Sequence, residues 1–311
     1  KYGVSRWPDE KEVFKKMEKL VNEPLHHIKP EAMARYMKHF DEKCKGSKAM
    51  IEEAKKVIPG GVQHNLAFNY PFPLVVEKAE GAYLYDIDGN RYVDYLQAGG
   101  PTLLGSNYEP VNQKVWEVVK ESGPVTGLFH PYEMKLAEKI HECMPWVEMY
   151  RCLASGTEAD MVAIRIARTY TGKQNIIKVG GAYHGWSDQL VYSLHIPYTQ
   201  TFEAHGIPKE ATQNTKEFFP GDVEGLRKVL EENEKNGGTA AVIIEPFGPE
   251  SGTRPIAMDF AAKARELCDE FGALLIFDEV VTAFRVGPGG AQGFFNVRPD
   301  LTVFGKIVAG G

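Results

Sequence analysis

The sequence predicts an α/β fold with a mainly parallel sheet flanked by helices, and three observations carry that expectation. From about Tyr150 onward, short apolar runs alternate with stretches of helical periodicity, the pattern of a parallel sheet. The strongest run, residues 273–277, ends in Asp278-Glu279, so a buried strand delivers an acid at its carboxyl end. A second run, residues 301–304, ends in Gly305-Lys306. An open parallel sheet binds ligands at the carboxyl ends of its strands, where both groups fall.

The elements follow in order. Residues 1–58 predict an N-terminal helical arm, because Val13, Phe14, Met17 and Leu20 recur on one helical face. A second helix starts near Pro30, and a third stops at Pro59-Gly60-Gly61. The arm is expected to pack on the body or on a partner subunit. Residues 59–110 contain a β-meander, with runs at 74–78, 81–86 and 91–96. Asp88-Gly89-Asn90 reads as its hairpin turn, since the other ligands of a calcium loop are missing. Further strands are expected at 149–153, 175–179, 240–244, 273–277 and 301–304, and helices at 158–170, 223–235 and 259–271.

Composition narrows the function. A chain of 311 residues with 43% hydrophobic residues can bury a sizeable core in about two domains. A net charge of -6 argues against a nucleic-acid partner and leaves a small metabolite as the default. No apolar run approaches the roughly 18 residues of a membrane span, and no signal-peptide core is seen. Cys44, Cys143, Cys152 and Cys268 are scattered without metal-ligand spacing, so no metal site and a reducing cytoplasmic setting are expected.

The candidate site is assembled from strand ends. A lysine amine can form a Schiff base with an aldehyde cofactor, and an aspartate can hold a pyridinium nitrogen protonated. Lys306 and Asp278 are that pair, and the chemistry is that of pyridoxal phosphate. The competing roles are a solvent-exposed lysine and a structural ion pair between Asp278 and Arg285. Ser155-Gly156-Thr157 between a strand and a helix can cradle an anion, although the same triplet is an ordinary helix cap. Tyr183 can stack on a flat ring, His184 can orient a cofactor or satisfy a loop carbonyl, and Glu245 stands at the end of a strand.

Taken together and in this order, these motifs resemble the class III pyridoxal-phosphate-dependent aminotransferases of fold type I, a family that includes glutamate-1-semialdehyde aminomutase. The matching stretches are Pro59 to Val62, Gly81 to Asp94, Ser155 to Ala159, Tyr183-His184-Gly185, Glu245-Pro246, Phe271 to Val280, Phe284-Arg285 and Pro299 to Lys306. The resemblance implies that Lys306 carries the Schiff base and shuttles protons, while Asp278 holds the ring nitrogen protonated. It implies that Tyr183 and Val280 sandwich the ring and that Ser155, Gly156 and Thr157 hold the phosphate. It also implies a homodimer, with residues 59–110 belonging to a small domain and residues 111–311 forming the cofactor-binding large domain. The family continues into the rest of the large domain and a C-terminal small domain, so the chain is expected to be incomplete after Gly311.

Two departures bear on substrate. The aminomutase pattern places an Arg after Pro-Gly-Gly-Val, whereas here Gln63-His64-Asn65 follows, leaving His64 and Asn65 as candidate substrate contacts. After Glu245-Pro246 the sequence has Gly248 and Glu250; Glu250 fits the transaminase pattern, and Gly248 leaves the cofactor's phenolic oxygen without an identified partner. The expected activity is an aminotransferase acting on an amino acid or ω-amine and a carbonyl acceptor. An aminomutase or amino-acid racemase/epimerase of the same family is the alternative. A nicotinamide oxidoreductase would need a GxGxxG turn that the chain lacks, and a non-catalytic scaffold is the remaining reading.

Overall fold

The computed structural model describes residues 2–64, 67–123, 127–191 and 205–310. The chain forms two compact units, one of residues 1–21 with 127–311 and one of residues 22–126. These borders fall elsewhere than the sequence borders at 58/59 and 110/111, because the two ends of the helical arm join different units.

After α1 (Glu10–Asn22), the smaller unit contains α2 (Pro30–Lys43), α3 (Lys45–Ala54), an antiparallel meander and α4 (Glu109–Ser122). The meander runs β1 (Val76–Glu80), β2 (Tyr83–Asp86), β3 (Arg91–Val93), as the alternating runs predicted. Its turn has a second use. The Asp88 carboxylate accepts from the amides of Gly46 and Ser47 at 2.6 and 2.9 Å, satisfying donors in the first turn of α3.

The larger unit continues with α5 (Pro131–Cys143), α6 (Gly156–Thr171), β4 (Asn175–Val179), α7 (Asp188–Val191), α8 (Lys209–Thr212) and β5 (Thr215–Phe218). Then follow α9 (Val223–Glu234), β6 (Thr239–Ile244), α10 (Pro249–Gly252), α11 (Phe260–Phe271), β7 (Leu274–Glu279), α12 (Gly290–Phe295) and β8 (Leu301–Phe304). The five strands pair in parallel in the order β5-β4-β6-β7-β8. Both faces are covered. Ile177, Val242 and Leu275 meet Leu226, Leu230, Phe260 and Ala264 of α9 and α11, while Ile176, Ile243 and Ile276 meet Ala163, Ile164 and Ala167 of α6. Burial on both faces explains why these strands read as unbroken apolar runs.

Two expectations are corrected. Residues 149–153 form no strand, and Met149 is 93% exposed; among the described residues no ladder partner lies beside them. The strand β5 escaped the sequence reading because Lys216 and Glu217 interrupt its apolar character.

The first residues of the arm pack on the body, one of the two placements expected. Gly3 donates its amide to the Val286 carbonyl at 2.7 Å, and Trp7 Nε1 donates to the Ile256 carbonyl at 2.9 Å. The Trp7 ring sits among Phe247, Phe294 and Phe295, with centroids 5.3, 6.0 and 5.3 Å away.

Candidate active site

The connections leaving β4 and β6 diverge, since β4 leads to β5 on one side and β6 to β7 on the other. Such a switch point opens a crevice at the carboxyl ends of the strands. Three of the expected residues meet there. The Tyr183 amide, in the loop after β4, donates to Glu245 Oε1 at the end of β6 at 3.2 Å. The Glu250 amide donates to the same oxygen at 3.1 Å. Glu245 is therefore a paired buried acid that joins two loops, and Glu250 itself adopts a left-handed φ of 52°.

Asp278 lies at the end of β7 and is buried. Its Oδ2 pairs with His184 Nδ1 at 2.8 Å, and its Oδ1 accepts from the Val280 amide at 3.0 Å. The partner of the acid is thus the histidine of the Tyr-His-Gly motif; Arg285 turns its Nε to the Val281 carbonyl instead. His184 is 1% exposed and pairs with the acid rather than with a loop carbonyl.

The candidate anion seat opens a helix as expected, but follows a loop rather than a strand. Ser155 caps α6, its Oγ accepting from the Glu158 amide at 3.2 Å, and Gly156 opens the helix. Thr157 Oγ1 accepts from the Trp186 amide at 3.1 Å. Gly185 approaches so closely, at φ 87°, that a Cβ there would stand 2.7 Å from Thr157 Cα. Only glycine fits both that conformation and that gap. A Cβ on Gly156 or Gly305 would meet the Val280 side chain at 3.3 or 3.0 Å, so Val280 lies against both the helix start and the Lys306 strand.

Lys306 follows β8, which pairs with β7 so that Asp278 stands opposite Val303. The lysine is half-buried with a left-handed φ of 50°, a conformation that costs a non-glycine residue about 1 kcal/mol and marks functional sites. It lines a groove of about 1130 Å³ together with Ser155, Gly156, Phe304 and Gly305. Tyr183, His184, Glu245, Glu250 and Asp278 are outside that lining and meet at the neighbouring strand ends. His64 is exposed in the smaller unit, and Asn65 lies outside the described residues.

Three buried ionisable groups escaped the sequence reading. Lys178, inside the strand Asn175–Val179, donates from Nζ to the carbonyls of Ala182 and Leu190 at 3.0 and 2.8 Å. Burial lowers its pKa to about 8. Glu279 accepts from the amides of Ala291 and Gln292 and from Thr282 Oγ1, while burial pushes its pKa up. Asp160 sits on the inner face of α6 with Ala163, Ile164 and Ala167, and burial followed by the charges of Asp278 and Glu245 holds its pKa well above the ordinary value. Their signal was in the text: a charge in the apolar register of a helix or inside an apolar run.

These residues suit pyridoxal phosphate. A glycine-tight helix start, a buried acid fixed by a histidine and a lysine just after the adjacent strand would suit its phosphate, ring nitrogen and aldehyde. Asp160 Oδ1 and His184 Nε2 are buried without a hydrogen-bond partner among the described residues.

The aminotransferase class-III family profile matches residues 66–311, and the chain belongs to that pyridoxal-phosphate-dependent family. Among curated relatives, the glutamate-1-semialdehyde 2,1-aminomutase of Alkaliphilus metalliredigens is 40% identical over 281 residues, which cover 86% of this chain and 62% of the relative. Among solved structures, a transaminase with PLP bound superposes with a TM-score of 0.80 at 31% identity, covering 86% of this chain and 62% of the other. An omega-transaminase from Sphaerobacter thermophilus also gives 0.80, at 30% identity, with 88% and 63% covered. The chain therefore spans somewhat over three fifths of the length of these proteins.

Proposed function

We propose that the chain is the main part of a pyridoxal-phosphate-dependent aminotransferase that moves an amino group between an amino acid or ω-amine and a carbonyl acceptor. The observation that carries this reading is the buried Asp278–His184 pair at the end of the strand next to the one that presents Lys306. When bound, the cofactor supplies an aldehyde for the amino group and an electron-withdrawing ring. Lys306 holds that aldehyde through Nζ and moves the proton at the substrate carbon. Asp278 keeps the ring nitrogen protonated, and His184 fixes the Asp278 oxygen that faces away from the Val280 amide. Ser155, Gly156 and Thr157 seat the phosphate, while Tyr183 and Val280 bound the ring on its two faces. Glu245 ties the loops that carry Tyr183 and Glu250, with Glu250 as a candidate substrate contact.

A homodimer in the cytoplasm, acting on small molecules rather than on nucleic acid or membrane, completes the reading. The aminomutase of the same family is the second reading, favoured by the name of the curated relative. Glu250 and the lack of Arg at residues 63–65 support the transaminase instead.

The test is covalent. After borohydride reduction with pyridoxal phosphate, the label is expected on Lys306 and is lost in Lys306→Ala, which keeps the folded state. A label on Lys178, the buried amine with a lowered pKa, would overturn the assignment. With amine donors, Asp278→Asn is expected to slow proton removal by roughly 100-fold or more while still binding cofactor. Consumption of a separate carbonyl acceptor distinguishes the transaminase from an isomerase, which turns over without one.

A further inference from the structure

Asp160 has no part in the chemistry above, yet it stands beside the acid at the centre of it. It is 1% exposed, and its Oδ1 has no hydrogen-bond partner among the described residues; His184 Nε2 is in the same condition. One oxygen from Asp160, one from Asp278 and one ring nitrogen of His184 all lie within 4.8 Å of one another. Two ionised carboxylates that close in a site shielded from water repel strongly, and an unpaired buried charge is costly. A neutral carboxylic acid removes both penalties and has an O–H to donate. Acceptors within 4.8 Å of it are an Asp278 oxygen and a His184 ring nitrogen, so a small turn of the Asp160 carboxyl brings its O–H to the pair. The other ionisable groups whose charges act on this cluster are Glu245 at the end of β6 and, from the loop after β4, Tyr183, itself influenced by Glu250. The charges that act on Asp160 itself are both anionic, while the buried Lys178 amine acts on Glu245. Burial and the charges of Asp278 and Glu245 act in the same direction.

We propose that Asp160 is held as a neutral acid donating its O–H into the Asp278–His184 pair, a positioning residue that keeps a single negative charge where a ring nitrogen is received. The ring-nitrogen role rests on the aminotransferase reading; the proton on Asp160 is a property of the cofactor-free chain. No covalent bond changes, and one proton stays within the cluster.

The test is infrared difference spectroscopy of the whole cofactor-free chain at pH 7, wild type against Asp160→Asn. The expected result is loss of one protonated-carboxyl C=O band with no loss of carboxylate bands. That band is expected to move in frequency in Asp278→Asn or His184→Gln, which exchange a carboxylate or an imidazole acceptor for a weaker amide oxygen. A difference made only of carboxylate bands overturns the proposal. A carboxyl band that both variants leave in place overturns it too, because burial alone would then hold the proton. Should Asp160→Asn not fold, carboxyl-13C aspartate labelling assigns the band to aspartate rather than to buried Glu279, and its survival in labelled Asp278→Asn assigns it to Asp160. As a second readout, Asp160→Asn, which keeps a neutral donor, is expected to bind pyridoxal phosphate within roughly threefold of wild type, and Asp160→Ala about tenfold more weakly. If the protonated band is present and pyridoxal phosphate does not bind, the functional reading falls and this inference stands. If Lys306 is labelled and only carboxylate bands appear, this inference falls alone.

Discussion

A charged side chain inside the sheet shows what single residues demand here. Lys178 is fully buried between β5 and β6, and its amine holds the carbonyls of Ala182 and Leu190 at the two ends of the loop that carries Tyr183 and His184. Its folded pKa of about 8 lies below the ordinary 10.5, so between those values the unfolded chain binds more protons. Stability attributable to Lys178 therefore rises with pH across that window. Denaturant titrations at pH 7.5 and 10.5 are expected to show wild type gaining about 3 kcal/mol relative to Lys178→Met. The sequence exposed the chemical residues of the site better than their supports. Lys306, Asp278, Ser155 and Glu245 were legible because each punctuates the end of an apolar run. Asp160, Lys178 and Glu279 stand out in the sequence only as charges within or beside apolar positions; what each one supports depends on partners from strands and helices distant in sequence.

Elements are where local sequence signals proved most dependable. The helix α6 begins at its expected motif because Ser155 caps it and Gly156 has no side chain to press on Val280. Ser155→Ala is expected to cost about 1 kcal/mol in thermal or denaturant unfolding and to weaken phosphate binding as well. The arm carries a different dependence. Trp7 joins the start of the chain to Phe247 and to the Ile256 carbonyl, bracketing the loop in which Glu250 lies. Trp7→Ala is expected to cost roughly 2 kcal/mol, less than the 3–5 of a fully buried aromatic, and to speed hydrogen exchange across residues 247–256. The two elements misjudged, the missing strand at 149–153 and the unforeseen β5, show the limit of periodicity. An extended apolar run without a ladder partner stays a loop, and a strand at the sheet's border tolerates Lys216 and Glu217.

For the whole molecule, the parallel architecture was readable because a doubly covered sheet writes continuous apolar strands separated by helices. The division of the arm between two units was not, since helical periodicity says which face is buried but not against what. The helix α4 exposes Val111, Val115, Trp116 and Val119, three of them at four-residue spacing, an unusual amount of apolar surface for one helix. Sedimentation is expected to give a particle of about twice the 34.7 kDa chain, and Trp116→Glu to shift it toward the single chain. A monomer at micromolar concentration would count against the homodimer.

The position of β8 at the border of the five-stranded sheet has a practical consequence. Its outer row of amides and carbonyls meets no strand among the described residues, and Leu301 and Phe304 stand only partly covered beside it. Such a rim recruits extended polypeptide without regard to sequence. Crowded or warmed samples are therefore expected to gain thioflavin fluorescence, and a charge introduced by Leu301→Lys to suppress it.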